Sequence, residues 1–149
     1  MSTAIHRRVE TLRARQDPAV IARLRSGWAV LSSTQVLTGY SLLLPDPVVP
    51  HLNALSGAVR AQFLADMSAL GDALLEVTGA IRINYAIFGN LDPALHAHVF
   101  PRYADEPDSV RTQQPWAHDW TRAPQFDAAT HSGLIERIRA ALVHSGVIA

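Results

Sequence analysis

The sequence predicts an α+β fold in which an antiparallel β-sheet of about five strands carries a main helix packed on one face. Three observations lead to it. Val59, Phe63, Met67, Leu70, Leu74 and Val77 recur at steps of three and four, the spacing of one helix face. Apolar residues alternate with period two at Ile81, Ile83, Tyr85 and Ile87 and again at Leu95, Ala97 and Val99, the pattern of strands with one buried face. The links between these runs are short, which favours antiparallel pairing over parallel crossovers.

The elements follow in order. Residues 3–25 read as an N-terminal helical region in two pieces, because Asp17-Pro18 matches an N-cap followed by proline at the first helical position, and Gly27 ends it. Trp28 to Leu31 and Val36 to Leu44 read as strands joined by the polar Ser32-Ser33-Thr34-Gln35 in a hairpin or meander. Pro45, Pro47 and Pro50 then break the chain, and the main helix starts at a Ser56 cap and stops before Gly79, its apolar stripe packing the core. Strands are expected at about Ala80 to Phe88 and Leu95 to Phe100. From Ala104 to Ala129 the chain is rich in Pro, Asp and Gln, with aromatics at Trp116, Trp120 and Phe126, which suggests an ordered but irregular excursion. Those aromatics anchor the tail to the core or to a second subunit, or else cover a pocket or stack on a base. A last helix from about Ser132 to Ser145 has Ile135, Ile138 and Leu142 on one side. The whole reads as one domain, 1–149, with its core over 27–103 and an irregular segment plus helix over 104–149.

Composition narrows the function. The 149 residues suit one domain, and 48% hydrophobic with 17% charged residues argues for a folded globule. Without cysteine there is no disulfide framework and no thiolate chemistry. No apolar run reaches the roughly 20 residues of a membrane span, and Met1 to Arg8 lacks a signal-peptide core, so the expectation is a cytoplasmic protein with no membrane partner. Formal net charge is zero, which leaves no global field for a nucleic-acid backbone. The basic residues Arg7, Arg8, Arg13, Arg15, Arg23 and Arg25 read as a solvated helix face.

Chemistry concentrates at His96 and His98. Side chains two apart on a strand share a face, roughly 6 to 7 Å apart, and an imidazole titrates near neutrality, so the pair can hold a nucleophile and a donor together at pH 7. Two other readings stand beside this one. Chance or a packed strand edge would also place two histidines so, and imidazoles at this spacing can chelate. Zinc needs three or four protein ligands, however, and the nearest acids, Asp92 and Asp105, lie beyond Pro93 and Pro101, so no metal ligand is assigned. Arg102 and the histidines offer a local donor set for a small anion. Alternation puts Asn84 with Arg82 on the face away from Ile83 and Tyr85. His6, His51, His118, His131 and His144 read as surface residues, with His118 placed between two tryptophans where it can fold over the site.

The run Ile83-Asn84-Tyr85-Ala86-Ile87-Phe88-Gly89-Asn90, followed by Pro93-Ala94-Leu95-His96-Ala97-His98-Val99-Phe100-Pro101-Arg102-Tyr103, resembles the signature of the histidine triad family, His-φ-His-φ-His-φ-φ with φ apolar. Upstream, Gly39-Tyr40-Ser41-Leu42-Leu43-Leu44-Pro45 is similar to the family's Gly-His-φ-φ-φ-φ-Pro strand. The resemblance covers roughly Trp28 to Tyr103. Two positions depart from it: Ala94 stands at the first motif histidine and Tyr40 at the upstream pocket histidine.

The resemblance implies nucleotidyl transfer to histidine, with diadenosine tetraphosphate hydrolases as the most similar branch. His96 holds the position that attacks the α-phosphorus, and His98 the position that donates to a phosphate or leaving-group oxygen. Asn84, Tyr40, Ala94, Asn90, Ser32 and Arg102 are the implied nucleotide-binding set, with Ser33 or Gln35 as alternatives to Ser32. Ala94 retains a backbone carbonyl able to fix the tautomer of His96. The implied partners are a small-molecule nucleotide and a second copy of the chain. No cofactor is expected to be tightly bound, Mg²⁺ arriving with the nucleotide if at all. The two departures favour an alternative, a protein that binds nucleotide without turning it over.

Overall fold

Alternate side chains of each strand enter opposite layers, and this sorts the sequence into two cores. The computed structural model describes residues 2–148. Among them are helices α1 (Ala4–Arg13), α2 (Gly57–Thr78), α3 (Asp108–Arg111) and α4 (Ala128–His144), and strands β1 (Val20–Arg23), β2 (Gly27–Leu31), β3 (Ser41–Pro45), β4 (Arg82–Ala86) and β5 (Ala97–Arg102). The strands form one sheet in the order β1-β2-β3-β5-β4, every neighbouring pair antiparallel. This is the α+β architecture the sequence predicts. Ala29, Leu31, Leu43, Ala97 and Val99 face α2 and α4, meeting Phe63, Leu70, Leu74, Ile138 and Leu142. Val30, Leu42, Leu44 and Phe100 face the other way, under Ile5, Val9 and Leu12 of α1.

Local choices explain the boundaries. α2 ends at Gly79, whose φ of +74° is the left-handed conformation of a helix C-cap. Asp66, buried on α2, accepts hydrogen bonds from Ser26 N (2.8 Å) and Ser26 Oγ (2.6 Å), tying the helix to the β1–β2 turn. Gly27 does not end a helix but opens β2, where a Cβ would lie 1.9 Å from the Leu44 carbonyl oxygen, so only glycine admits the neighbouring strand.

Several expectations are corrected. The second helical piece over 17–25 is β1, the fifth strand. The chain leaves α1 through Arg15 at φ +58°, and the Asp17 carboxylate accepts from Ala19 N and Arg8 Nε, both at 2.9 Å, closing a turn instead of capping a helix. The strand expected from Val36 starts only at Ser41. The buried Gln35 amide organises residues 32–40 as a loop, donating to the Ser32 and Tyr40 carbonyls and accepting from Gly39 N, with Gly39 at φ +93°. Val59, first on the apolar stripe of α2, is 60% exposed, and Ile81 is 59% exposed beside the edge strand β4. On the face of the sheet that carries His98, α1 and Trp120 cover most of the surface.

Candidate active site

The loop before β5 sets the first histidine. Leu95, buried, donates its N–H to the Val49 carbonyl (2.7 Å), and this pins the residues that lead into the strand. His96 therefore stands just ahead of β5 and His98 within it, on the same side, with ring centroids 4.9 Å apart. The His96 Nδ1 lies 2.7 Å from the Ala94 carbonyl oxygen. A carbonyl only accepts, so Nδ1 carries the hydrogen and the lone pair of the neutral ring sits on Nε2.

His98 is set the opposite way. Its Nδ1 meets the Tyr40 hydroxyl at 2.7 Å. A phenol O–H is a stronger donor than an imidazole N–H, and an imidazole nitrogen the stronger acceptor, so Tyr40 donates and Nε2 of His98 keeps its hydrogen. Burial, and then the neighbouring His96, lower the pKa of His98 to about 4, which leaves the ring neutral at pH 7. Burial pushes the Tyr40 phenol up to about 12 against the opposing pull of the Ser32 hydroxyl and the Arg8 guanidinium. Tyr40 is 3% exposed and stacks on Phe100, ring centroids 4.0 Å apart. One ring thus offers a lone pair and its neighbour an N–H.

The two histidines open into a cleft of about 700 Å³ whose other walls are residues 88–92, Gln114 and Trp116. Asn90 of the implied set lies in this wall. Ala94 contributes its carbonyl from a fully buried position. The remaining residues of that set do not face the cleft. Ser32, 7% exposed, and Tyr40 lie behind His98, so Tyr40 acts on the histidine instead of on a ligand.

Arg102 is also corrected as a phosphate donor. Its Nε bonds both oxygens of Glu106 (3.1 Å each), its Nη1 bonds Asn84 Oδ1 and the Gln113 carbonyl (2.7 Å each), and its Nη2 bonds Glu106 Oε1 (2.9 Å) and the Val110 carbonyl (3.1 Å). All its donors are engaged within the protein. Asn84 is drawn into the same cluster, and so is His118, whose Nε2 lies 2.7 Å from Glu106 Oε1 rather than over the histidines. Burial raises the Glu106 pKa, but hydrogen bonds from Arg102, Tyr103 N and His118 outweigh it and hold the carboxyl below its ordinary range.

Sequence reasoning missed Phe88 and Leu91 as walls of the site, and it left Trp116 open between anchoring the tail and covering a pocket. Trp116 makes edge contacts with Phe88 (5.2 Å), His98 (5.3 Å) and Phe100 (5.2 Å) and stacks parallel to Trp120. No sequence spacing relates residues 88 and 116; only the return of the excursion over the sheet brings them together. Among the described residues no group of three or more His, Asp or Glu is arranged to hold a metal ion.

The same chain path recurs in solved structures. A histidine triad protein from Bradyrhizobium japonicum superposes with a TM-score of 0.68 at 24% identity, over 87% of this chain and 93% of that one. One from Sinorhizobium meliloti gives a TM-score of 0.70 at 22% identity over 88% and 94%. The chain has the histidine triad fold. A hypothetical histidine triad nucleotide-binding protein from Sulfolobus tokodaii shares it with a TM-score of 0.71 at 14% identity, over 91% of each chain. No family model matches the sequence, and no curated protein does. At these identities the likeness carries the histidine triad fold and not the chemistry, which rests on the residues of the cleft.

Proposed function

We propose that this protein is a cytoplasmic nucleotide hydrolase or transferase, acting at the α-phosphate of a dinucleoside polyphosphate or nucleoside phosphoramidate through a nucleotidyl intermediate on His96. The observation that carries this reading is the 2.7 Å bond from His96 Nδ1 to the Ala94 carbonyl, which leaves the Nε2 lone pair available at the cleft. The backbone supplies this bond, so a missing first motif histidine leaves it intact. The likeness to the hypothetical histidine triad nucleotide-binding protein of Sulfolobus tokodaii supports the same ligand class.

In the first step Nε2 of His96 forms a bond to the α-phosphorus as the bond to the leaving group breaks. A polyphosphate departs as an anion, and an amine takes its proton from water. Water then cleaves the phosphorus–nitrogen bond and restores His96. His98, neutral with a hydrogen on Nε2, serves as a hydrogen-bond donor to a phosphoryl oxygen, where charge develops in the transition state. Any Mg²⁺ belongs to the substrate's phosphates.

The test is turnover of diadenosine tetraphosphate and adenosine phosphoramidate by the wild type and His96→Ala, with and without Mg²⁺. The variant is expected to lose activity by roughly a thousandfold or more, as when a covalent nucleophile is removed, while its circular dichroism stays unchanged. Equal activity in the variant rejects the reading. Wild-type binding without product on either substrate would favour a nucleotide-binding protein instead.

A further inference from the structure

A group of exposed apolar side chains lies where the histidines open. Phe88 is 61% exposed, Leu91 99% and Trp116 39%, and all three border the cleft that holds His96 and His98. Apolar side chains gathered at the mouth of a concave, polar-based site mark the place where a ligand buries them. The Trp116 ring is held in place before any ligand arrives. Trp116 receives a cap at its N–H from Gln114 Oε1 (2.8 Å), packs parallel to Trp120 with centroids 5.9 Å apart, and meets Phe88 edge-on. The segment that carries it is pinned by the bonds of Arg102 to Glu106 and to the carbonyls of residues 110 and 113. A fixed aromatic wall loses little conformational entropy on binding.

We propose that Phe88 and Trp116 form a stacking subsite for a planar aromatic ring on the ligand, the nucleobase of the nucleotide in the reading above, while its phosphate meets His96 and His98. The identification of the ring as a nucleobase rests on that reading; the subsite itself does not. Apart from the histidines the polar groups of the wall are few: Asn90, Asp92, whose Oδ2 accepts from Ile5 N, and the Gln114 amide, whose Oε1 already accepts from Trp116 N. The base is therefore gripped by its face more than by its edge, and purines are preferred over pyrimidines for stacking area without sharp discrimination between adenine and guanine.

Calorimetry with three probes tests this: adenosine monophosphate, ribose 5-phosphate and 1-naphthyl phosphate. The wild type is expected to bind adenosine monophosphate about 5- to 150-fold more tightly than ribose 5-phosphate, the range of one stacked base. Trp116→Ala and Phe88→Ala each remove much of that difference without changing the ribose 5-phosphate affinity, and Trp116→Phe retains it. Phe88 is exposed, so its variant keeps the test sound if Trp116→Ala disturbs the segment. Equal loss for both sugar phosphates, or no loss for adenosine monophosphate in either alanine variant, overturns the subsite. If adenosine monophosphate does not bind but naphthyl phosphate does, in a manner that depends on Phe88 and Trp116, the subsite stands and the nucleotide reading fails. If neither binds, the subsite falls as well.

Discussion

Two histidines with the same side chain hold opposite roles because different partners meet their Nδ1 atoms. At His96 the partner is a carbonyl, which forces the hydrogen onto Nδ1; at His98 it is a phenol, which donates. Burial makes the second assignment carry a measurable cost at low pH. The unfolded His98 titrates near 6.5 and the folded one at about 4. Between these values the unfolded chain binds more protons, so stability must fall as the pH is lowered from about 6.5 to about 4 and level off below. Urea denaturation across pH 4 to 8 measures this. His98→Asn, which cannot titrate, is expected to flatten that part of the profile, and an unchanged slope in the variant would assign the proton uptake elsewhere. The chemical pair was legible in the sequence because two histidines at a strand spacing declare a shared face. The partners were legible unequally: Ala94 lies two residues away, whereas Tyr40 lies 58 residues from His98 and reached it only through the β3–β5 pairing.

At the scale of elements, strong periodicity was legible and competing local signals were not. The α2 stripe and the β5 alternation stand in the structure near their expected places. β1 was misread because Asp17-Pro18 fits a helix cap as well as it fits a turn, and only the remote Arg8 and the sheet decide between them. The excursion after β5 shows the same limit. Nothing local says that residues 104–120 fold back, yet Arg102 at the end of β5 and Glu106 four residues on form a buried pair, with side chains 8% and 5% exposed, that turns the chain toward the cleft. Removing the charge of Glu106 would leave the guanidinium buried beside uncharged partners. Glu106→Gln is therefore expected to destabilise the protein by about 3 kcal/mol, the range for breaking one side of a buried ion pair. It should also loosen Trp116, read as a red shift of tryptophan emission and faster proteolysis over 104–120. Wild-type stability in urea together with wild-type emission would show that the backbone contacts alone hold the segment.

For the whole molecule, the sheet ends in an unprotected edge. β4 pairs only with β5, and its other side carries no strand among the described residues. Such edges are normally covered or blunted by charge. Here Arg82 provides charge at one end, but Ile81 beside it is 59% exposed and the Tyr85 ring, 42% exposed, lies over Gly71 of α2, where a Cβ would sit 2.0 Å from the phenol oxygen. α2 adds Leu64 (37%) and Leu75 (39%) to the exposed apolar surface of the molecule. The occupant proposed for this edge is a second copy of the chain, pairing β4 with β4 about a two-fold axis so that each subunit buries the same residues. Light scattering is then expected to give twice the 16.2 kDa of the chain. Ile81→Arg, which places a charge on the exposed edge without touching the core, should shift the equilibrium to monomer. Ile81 precedes the Arg82 end of β4, opposite Arg102, whereas the histidine cleft opens beyond its other end, where Ala86 pairs with His98, so the aromatic stacking measured with adenosine monophosphate should survive dissociation. A monomeric wild type, or a dimer indifferent to Ile81→Arg and to Leu75→Arg, would move the contact away from β4 and α2.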